Sequence, residues 1–520
     1  MPETAPAPSL YSFDEYIRWW AEHKPDEVAL EEGDTRTSFA GLEQRTAQAV
    51  QVLQSLGLSK GDRIAWLGKN ARLYFELFYA AARMGVVMVP IGWRLAGPEI
   101  AFILQDTAAR LLFTGTGFDE AAATACAELD RPPRIVTQDE AEALIAGAER
   151  ATFESASSED AVLQLYTSGT TGNPKGAVLT NRNLFALRQP GEREGVSWAS
   201  WEEGEAILIA MPCAHIGGTG LGIMAMGAGV RAIVQAEFTP DGVFDAFEAG
   251  ATRMFIVPAA LQMVIHHPRA ARTDFSHVRY VLYGAAPIPL DLLREAVETI
   301  PNAGFVQCYG MTETTGTVCA LPPEDHSLDG NERMRSAGKA VPGAEVKVID
   351  EHGAALPPGE VGELLVRSPS NMLGYWNLED ATRDALKDGW MHTGDAAYLD
   401  ADGYVFIQDR IKDMIISGGE NVYPAQVESA IYGHPAVAEV AVIGVPDDQW
   451  GEVVKACIVP RDGMTIDEAA IIEHTRTRLA GFKVPKSVDV IASLPRNASG
   501  KILRRELRAP YWAGRERQVN

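Results

Sequence analysis

Cysteine is scarce, positive charge is in deficit and no long apolar run is free of charged residues; each shortage excludes a class of function. The five cysteines, Cys126, Cys213, Cys308, Cys319 and Cys457, include no pair at CxxC spacing, which argues against a zinc ribbon or a redox dithiol. A sparse, odd count suits a reducing compartment. The absence of HExxH excludes a zincin. Lys and Arg total 46 against 70 Asp and Glu, a net charge of −24. So acidic a surface repels phosphate backbones and anionic lipid, so neither nucleic acid nor a membrane surface is expected as the main partner. An anionic ligand must then be held by local donors, a metal or a few placed cations. The first ten residues show neither a basic n-region nor an apolar h-region, so no secretory signal is expected. The most apolar long window, 75–93, contains Glu76, Arg83 and Pro90. It predicts a helix followed by a buried strand, with no membrane span, and the expected location is cytoplasmic.

What is present is an ordinary globular composition, 46% hydrophobic and 22% charged, which rules out disorder as the main state. A chain of 520 residues predicts two to four packing units. Ser12 and Glu15 form a capping box that opens an aromatic helix. From there to about 160, predicted helices (42–56, 71–84) alternate with short apolar strands (63–67, 86–89). This alternation suggests parallel βαβ units. It resumes over 205–320, with buried strands expected at 207–210, 230–235, 254–257 and 280–283. After about Ser336 the texture changes to strands at 345–349, 362–367 and 403–408 separated by Gly/Pro/Asp turns, a β-rich subdomain. A final stretch of roughly 110 residues has its own helix (425–432) and strand (437–445), a length typical of one small domain. No internal repeat is visible.

The strongest chemical signal runs from Tyr166 to Gly176, after an apolar strand at 161–165. Gly169, Gly172 and Gly176 let backbone amides converge, the hydroxyls of Thr167, Ser168, Thr170 and Thr171 can donate, and Lys175 adds a charge. That is a nest for phosphate or an oxyanion. It is not a Walker A loop, because no Gly-Lys-Ser/Thr follows at the right spacing. The lone GxSxG, Gly57 to Gly61, lies between a helix and a strand, whereas a nucleophile elbow needs strand then helix.

At this loop the chain resembles the adenylate-forming superfamily, which holds acyl-CoA synthetases, the adenylation domains of peptide synthetases and firefly luciferase. The resemblance covers nearly the whole chain, because further superfamily motifs follow in order. It implies an α/β fold. A large N-terminal domain of two doubly wound-like α/β subdomains plus the β-rich subdomain would span 1–410. A hinge at 411–413 and a small mobile α+β C-terminal domain at 414–520 would follow.

By the same resemblance the loop residues Thr167, Ser168, Gly169, Thr170, Thr171, Gly172 and Lys175 hold ATP phosphates, and Gly284-Ala285-Ala286-Pro287 packs on adenine. In Tyr309-Gly310-Met311-Thr312-Glu313, the Tyr stacks on adenine, Thr312 contacts the α-phosphate and Glu313 holds Mg²⁺. A hard carboxylate suits a hard cation that keeps most of its waters. Asp395 and Arg410 would hold ribose, as a carboxylate can accept two hydroxyls and a guanidinium offers a fork of donors. Lys412 would be the hinge pivot, Gly418, Gly419 and Glu420 would line the CoA tunnel, and Lys501 would be the catalytic lysine of a Gly-containing loop.

The segment Met211 to Gly220 corresponds to the start of the acyl pocket. His215 sits where relatives shield or open the path to the acyl carbon, and Gly217, Gly218, Pro258 and Gly316 are further wall candidates. No Asp stands between Met211 and Leu221 to pair a substrate ammonium, which argues against an α-amino acid. Two positions depart from the common pattern: Asn181 replaces a frequent His and Gly92 a frequent Asn.

The implied reaction uses ATP, Mg²⁺ and CoA to convert a hydrophobic carboxylic acid, a medium- or long-chain fatty acid or a bulky cyclic one, to acyl-AMP plus pyrophosphate and then to acyl-CoA plus AMP. The alternatives are an aryl or phenylpropanoid acid–CoA ligase and a stand-alone adenylation enzyme loading a carrier protein. A non-catalytic nucleotide sensor is disfavoured because Glu313, Asp395, Arg410 and Lys501 occur together. A homodimer is compatible with the family, in which dimers are common.

Overall fold

The computed structural model describes residues 10–167, 174–496 and 502–513. Its first helix, Phe13–His23, begins where the capping box predicts: the Ser12 hydroxyl accepts the amide of Glu15 at 3.3 Å. The returning Glu15 carboxylate takes the Tyr11 amide and the Ser12 hydroxyl, both at 2.9 Å. The second helix starts three residues earlier than its apolar pattern, at Phe39–Ser55, because Ser38 caps it by accepting from Gly41.

The helix Arg72–Arg83 explains the apolar window. Every residue but Arg72 is buried, and its two inward charges are paired. Glu76 accepts from Arg45, and Arg83 donates to Asp14 at 2.7 Å. With Phe13–His23, Phe39–Ser55 and the glycine-rich helix Ile216–Ala228 it packs one apolar core shared by two sheets.

The first sheet runs, edge to edge, through Lys339–Ala340, Gly316–Leu321, Gly304–Met311, Tyr280–Gly284, Arg253–Ile256, Ala206–Ile209, Arg231–Val234, Val28–Glu32 and Thr35–Ser38. It is parallel from Gly304–Met311 to Val28–Glu32 and antiparallel at both edges. The second runs through Gly374–Tyr375, Lys175–Thr180, Ala161–Thr167, Val87–Ile91, Arg63–Leu67, Leu111–Thr114 and Arg134–Thr137. Its ladder between Val87–Ile91 and Ala161–Thr167 has the single pair Met88↔Leu163. Pro90, which has no N–H to donate, sits where these strands part. The expected pair of α/β sheets is therefore present.

The β-rich subdomain is an antiparallel sheet of Glu345–Ile349, Gly362–Arg367, Trp390–Leu399, Leu386–Lys387 and Val405–Arg410. Its longest strand, Trp390–Leu399, is not expected from the sequence. The strand expected at 403–408 begins and ends two residues later, because Asp402-Gly403 makes the turn. A short 3-10 turn, Ile411–Asp413, leads into a fourth sheet of Glu420–Val422, Ile415–Ser417, Gly451–Pro460, Val437–Asp447 and Ser487–Val490. Helix Pro424–Tyr432 packs on it, giving the α+β unit expected at the C-terminal end. Among the described residues no helix is long and apolar enough to cross a membrane.

Candidate active site

The carboxyl ends of the parallel strands, where α/β sheets bind ligands, bring the two large sheets together. Strand Ala161–Thr167 ends at Thr167, which pairs in register with Lys175 and so closes the neck of the predicted phosphate loop. Ser168, Gly169, Thr170, Thr171 and Gly172 lie outside the described residues, as does Lys501.

From the other sheet, strand Gly304–Met311 leads into a 3-10 turn, Thr312–Thr314, that presents Thr312 and Glu313. The Thr314 hydroxyl accepts the Met311 amide at 3.0 Å and donates to the Gly316 carbonyl at 2.9 Å. The Met372 amide anchors the Glu313 carbonyl at 2.8 Å. Gly310 has a packing reason to be glycine: an added Cβ would lie 1.7 Å from the Gly316 oxygen.

The Glu313 side chain is buried, and its Oε1 accepts from the Tyr375 hydroxyl at 2.8 Å and the Thr167 hydroxyl at 3.4 Å. This carboxylate joins the two sheets. Burial, then the neighbouring Glu313 charge, raises the Tyr375 phenol above its usual range, so it remains a donor. Oε2 receives neither of these donors. One buried carboxylate with an oxygen left open by its donors among the described residues fits Mg²⁺, which takes one or two carboxylates and completes its shell with phosphate oxygens and water.

Asp395 and Arg410 face each other as a register pair on strands Trp390–Leu399 and Val405–Arg410. Irregularities flank them, between Glu363 and Leu365 and between Ala396 and Ala397; such bulges re-aim side chains. Asp395 Oδ1 takes Arg410 Nε at 2.7 Å, and Oδ2 takes the Tyr309 hydroxyl at 2.5 Å. Burial, reinforced by Asp395, pushes the Tyr309 phenol well up. The three residues expected around nucleoside thus form one hydrogen-bonded group.

Gly284 pairs with Cys308, and a Cβ there would lie 2.1 Å from the Cys308 oxygen. Ala285 follows with φ +64°. An alanine in the left-handed region costs about 1 kcal/mol or more, and such strain gathers at functional sites. Ala286 is half-buried and Pro287 exposed.

His215 is the N-cap residue of helix Ile216–Ala228, and its Nε2 is buried without a hydrogen-bond partner among the described residues. Burial, and then the Arg94 charge, lowers its pKa to about 4. The ring is therefore neutral at physiological pH. Below about pH 6.5 the unfolded chain takes up a proton that the folded imidazole refuses until about pH 4, so stability falls across that window. His215→Phe should remove this fall and gain about 2 kcal/mol on wild type between pH 7.5 and pH 5. Parallel pH–stability curves in thermal melts would show that His215 is not the group.

A Cβ added at Gly217 would lie 3.1 Å from the Phe255 ring, and one at Gly316 3.5 Å from Ile216, so both glycines face apolar side chains. Gly218 is different: a Cβ would lie 2.3 Å from the Pro212 carbonyl oxygen, a tight backbone crossing and not a pocket wall. Pro258 is the buried first residue of helix Pro258–Ile265. Of the two departures, Asn181 is buried and donates to the Ser157 carbonyl at 3.2 Å, and a Cβ at Gly92 would make an ordinary contact with Leu95 at 3.4 Å.

Lys412 occupies the turn between the third and fourth sheets, where burial lowers its pKa and the Asp413 charge opposes this. Gly418 and Gly419 form a left-handed turn with φ +62° and +86°, ahead of exposed Glu420. The half-exposed indole of Trp450 covers Gly418, where a Cβ would lie 2.7 Å from the ring. Sequence reasoning misses Tyr375 and Trp450. Nor does it single out Arg504, whose side chain is 13% exposed and forms a double contact with Glu428 beside Asp409 and Asp413.

An AMP-binding enzyme family model matches residues 17–376, and the model of the AMP-binding enzyme C-terminal domain matches 426–501. A fatty acid–[acyl-carrier-protein] ligase from Streptomyces coeruleorubidus is 41% identical over 518 residues, 99% of each chain. A feruloyl-CoA synthase from an Amycolatopsis species is 40% identical over 94% of this chain and 97% of its own. The o-succinylbenzoate coenzyme A synthetase of Bacillus subtilis, solved with ATP and a magnesium ion, superposes with a TM-score of 0.84 at 31% identity, covering 95% of this chain and 98% of that one. With both halves of the family matched along one chain, this protein belongs to the AMP-binding, adenylate-forming enzymes and is an ATP-dependent acid–thiol ligase.

Proposed function

We propose that this enzyme activates a hydrophobic carboxylic acid, a medium- or long-chain fatty acid or a bulky cyclic one, and transfers it to CoA. The observation that carries the reading is the junction at Glu313. There the phosphate-loop strand and the hairpin of Thr312 meet one buried carboxylate, next to the Tyr309–Asp395–Arg410 group. In this reading Asp395 and Arg410 hold the ribose. Thr167, Lys175 and Thr312 hold the phosphates, and the acid's carboxylate attacks the α-phosphorus as pyrophosphate leaves. When bound, Mg²⁺ on Glu313 would neutralise phosphate charge. Catalysis is then positioning and charge stabilisation. Rotation about Lys412 would withdraw Lys501 and present the turn at Gly418 and Gly419, giving the thiol a path to the acyl carbonyl.

The acid's tail is assigned to the apolar strip of Ile216, Met311, Phe255, Met224 and Trp198, all partly buried side chains. Phe255→Ala should enlarge that strip and shift kcat/KM by about tenfold toward longer or bulkier acids, the scale of one or two methylenes in an apolar pocket. An unchanged preference across a chain-length series would remove Phe255 from the pocket. A second reading, transfer to a carrier-protein thiol, is favoured by the 41% identical relative that loads one. AMP release and thioester formation with fatty, aryl and cyclic acids, with CoA or a phosphopantetheinylated carrier, separate the two. CoA thioester supports the first reading; AMP and thioester only with the carrier establish the second.

A further inference from the structure

Among the described residues, a short edge strand touches both the foot of the predicted phosphate loop and the hairpin of Glu313. Gly374–Tyr375 pairs antiparallel with Lys175–Thr180, in the register Gly374↔Val178 and Tyr375↔Ala177. Its flanks are pinned by Leu373 N to the Val178 carbonyl at 2.9 Å and Trp376 N to the Gly176 carbonyl at 2.8 Å. The Tyr375 amide donates to the Thr382 hydroxyl at 2.8 Å. The backbone of Tyr375 is thereby fixed on three sides, and its side chain reaches both partners. The hydroxyl donates to Glu313 Oε1 at 2.8 Å, and the ring lies 5.1 Å from Lys175 Nζ.

We propose that Tyr375 is a positioning residue that sets the phosphate site from both sides. Its hydroxyl fixes the Glu313 carboxylate so that Oε2 faces a divalent cation, and its ring holds the Lys175 ammonium at the foot of the loop. The inference rests on the nucleotide-binding reading of this site. A carboxylate held by directional hydrogen bonds, here a short one from Tyr375 and a longer one from Thr167, is preorganised for a metal, whereas a freely rotating one must lose that freedom on binding. A ring holds an ammonium without neutralising it, so the Lys175 charge stays available to an anion.

The test is calorimetric binding of a non-hydrolysable ATP analogue to the full-length protein, with and without saturating Mg²⁺. Wild type should bind more tightly with the metal. Tyr375→Phe keeps the ring and loses the hydroxyl. It should retain the metal-free affinity and lose about three- to tenfold of the metal-dependent gain, the scale of one ordinary net hydrogen bond. Tyr375→Leu should in addition weaken metal-free binding about two- to fivefold, the scale of a cation–π contact. Should the Leu variant fold poorly, the cycle of Tyr375→Phe with Glu313→Gln decides: the hydroxyl should make no further difference to the metal-dependent gain once the carboxylate is gone. An equal Mg²⁺ gain in wild type and Tyr375→Phe, or full additivity in the cycle, overturns the proposal. Wild type that binds no nucleotide in either condition instead overturns the reading of the site.

Discussion

Asp395→Ala is expected to lower kcat/KM for ATP by about 10²- to 10³-fold. The side chain accepts two charge-assisted or short hydrogen bonds, from Arg410 Nε and the Tyr309 hydroxyl, on a strand whose bulges aim it at the shared ends of the sheets. Hydrogen bonds to charged groups contribute roughly 1.5–3 kcal/mol each, and leaving a partly buried guanidinium unpaired adds its own cost. At about 1.4 kcal/mol per factor of ten, two such losses reach the stated range. The loss should fall on ATP and not on the acid, because in the proposed reading Asp395 and its partner Arg410 hold the ribose. A variant with near wild-type kcat/KM for ATP would show that Asp395 serves only to hold Arg410 in the sheet.

Lys501→Ala should separate the two half-reactions. Adenylate formation should fall by about 10³-fold or more, the scale of removing a positioned charge from a phosphoryl-transfer site. Thioester formation from supplied acyl-adenylate should stay within a few-fold of wild type, because in the proposed mechanism the hinge would withdraw the lysine before the thiol enters. The physical reason is access: a lysine loop covering the acyl carbonyl cannot share that space with a thiol. Rapid-quench measurements of each half-reaction check it. Equal loss in both would assign Lys501 to a structural role or to both steps.

Much of the fold and the site is legible in the sequence because local signals and tertiary demands coincide. Ser12 is a helix cap whose hydroxyl finds its amide, and the charges within the apolar window, Glu76 and Arg83, are paired and not lipid-facing. Thr167, Lys175, Glu313, Tyr309, Asp395 and Arg410 are each marked by motif, and their contacts join them into two adjoining groups. What escapes depends on long-range pairing. Strand Trp390–Leu399 reads poorly because Gly394, at φ +68°, and the bulges break the two-residue alternation of a strand. Tyr375 sits on a two-residue strand, too short to show any period; Glu313 lies 62 positions away along the chain, and Lys175 farther still. Gly218 and Gly310 fall among ligand-facing residues in the motifs because sequence cannot separate a glycine that admits substrate from one that admits a crossing carbonyl. Arg504 needs its acidic partners Glu428, Asp409 and Asp413, which no spacing rule connects.

The most direct test of the account is carboxylic-acid-dependent exchange of labelled pyrophosphate into ATP. The purified full-length protein would be assayed with Mg²⁺ and a panel of fatty, cyclic and aryl acids, beside Glu313→Gln. Exchange with at least one hydrophobic acid, independent of any thiol and lost in Glu313→Gln, is the result expected if the Glu313 junction forms the acyl-adenylate. Exchange undiminished in Glu313→Gln would contradict it.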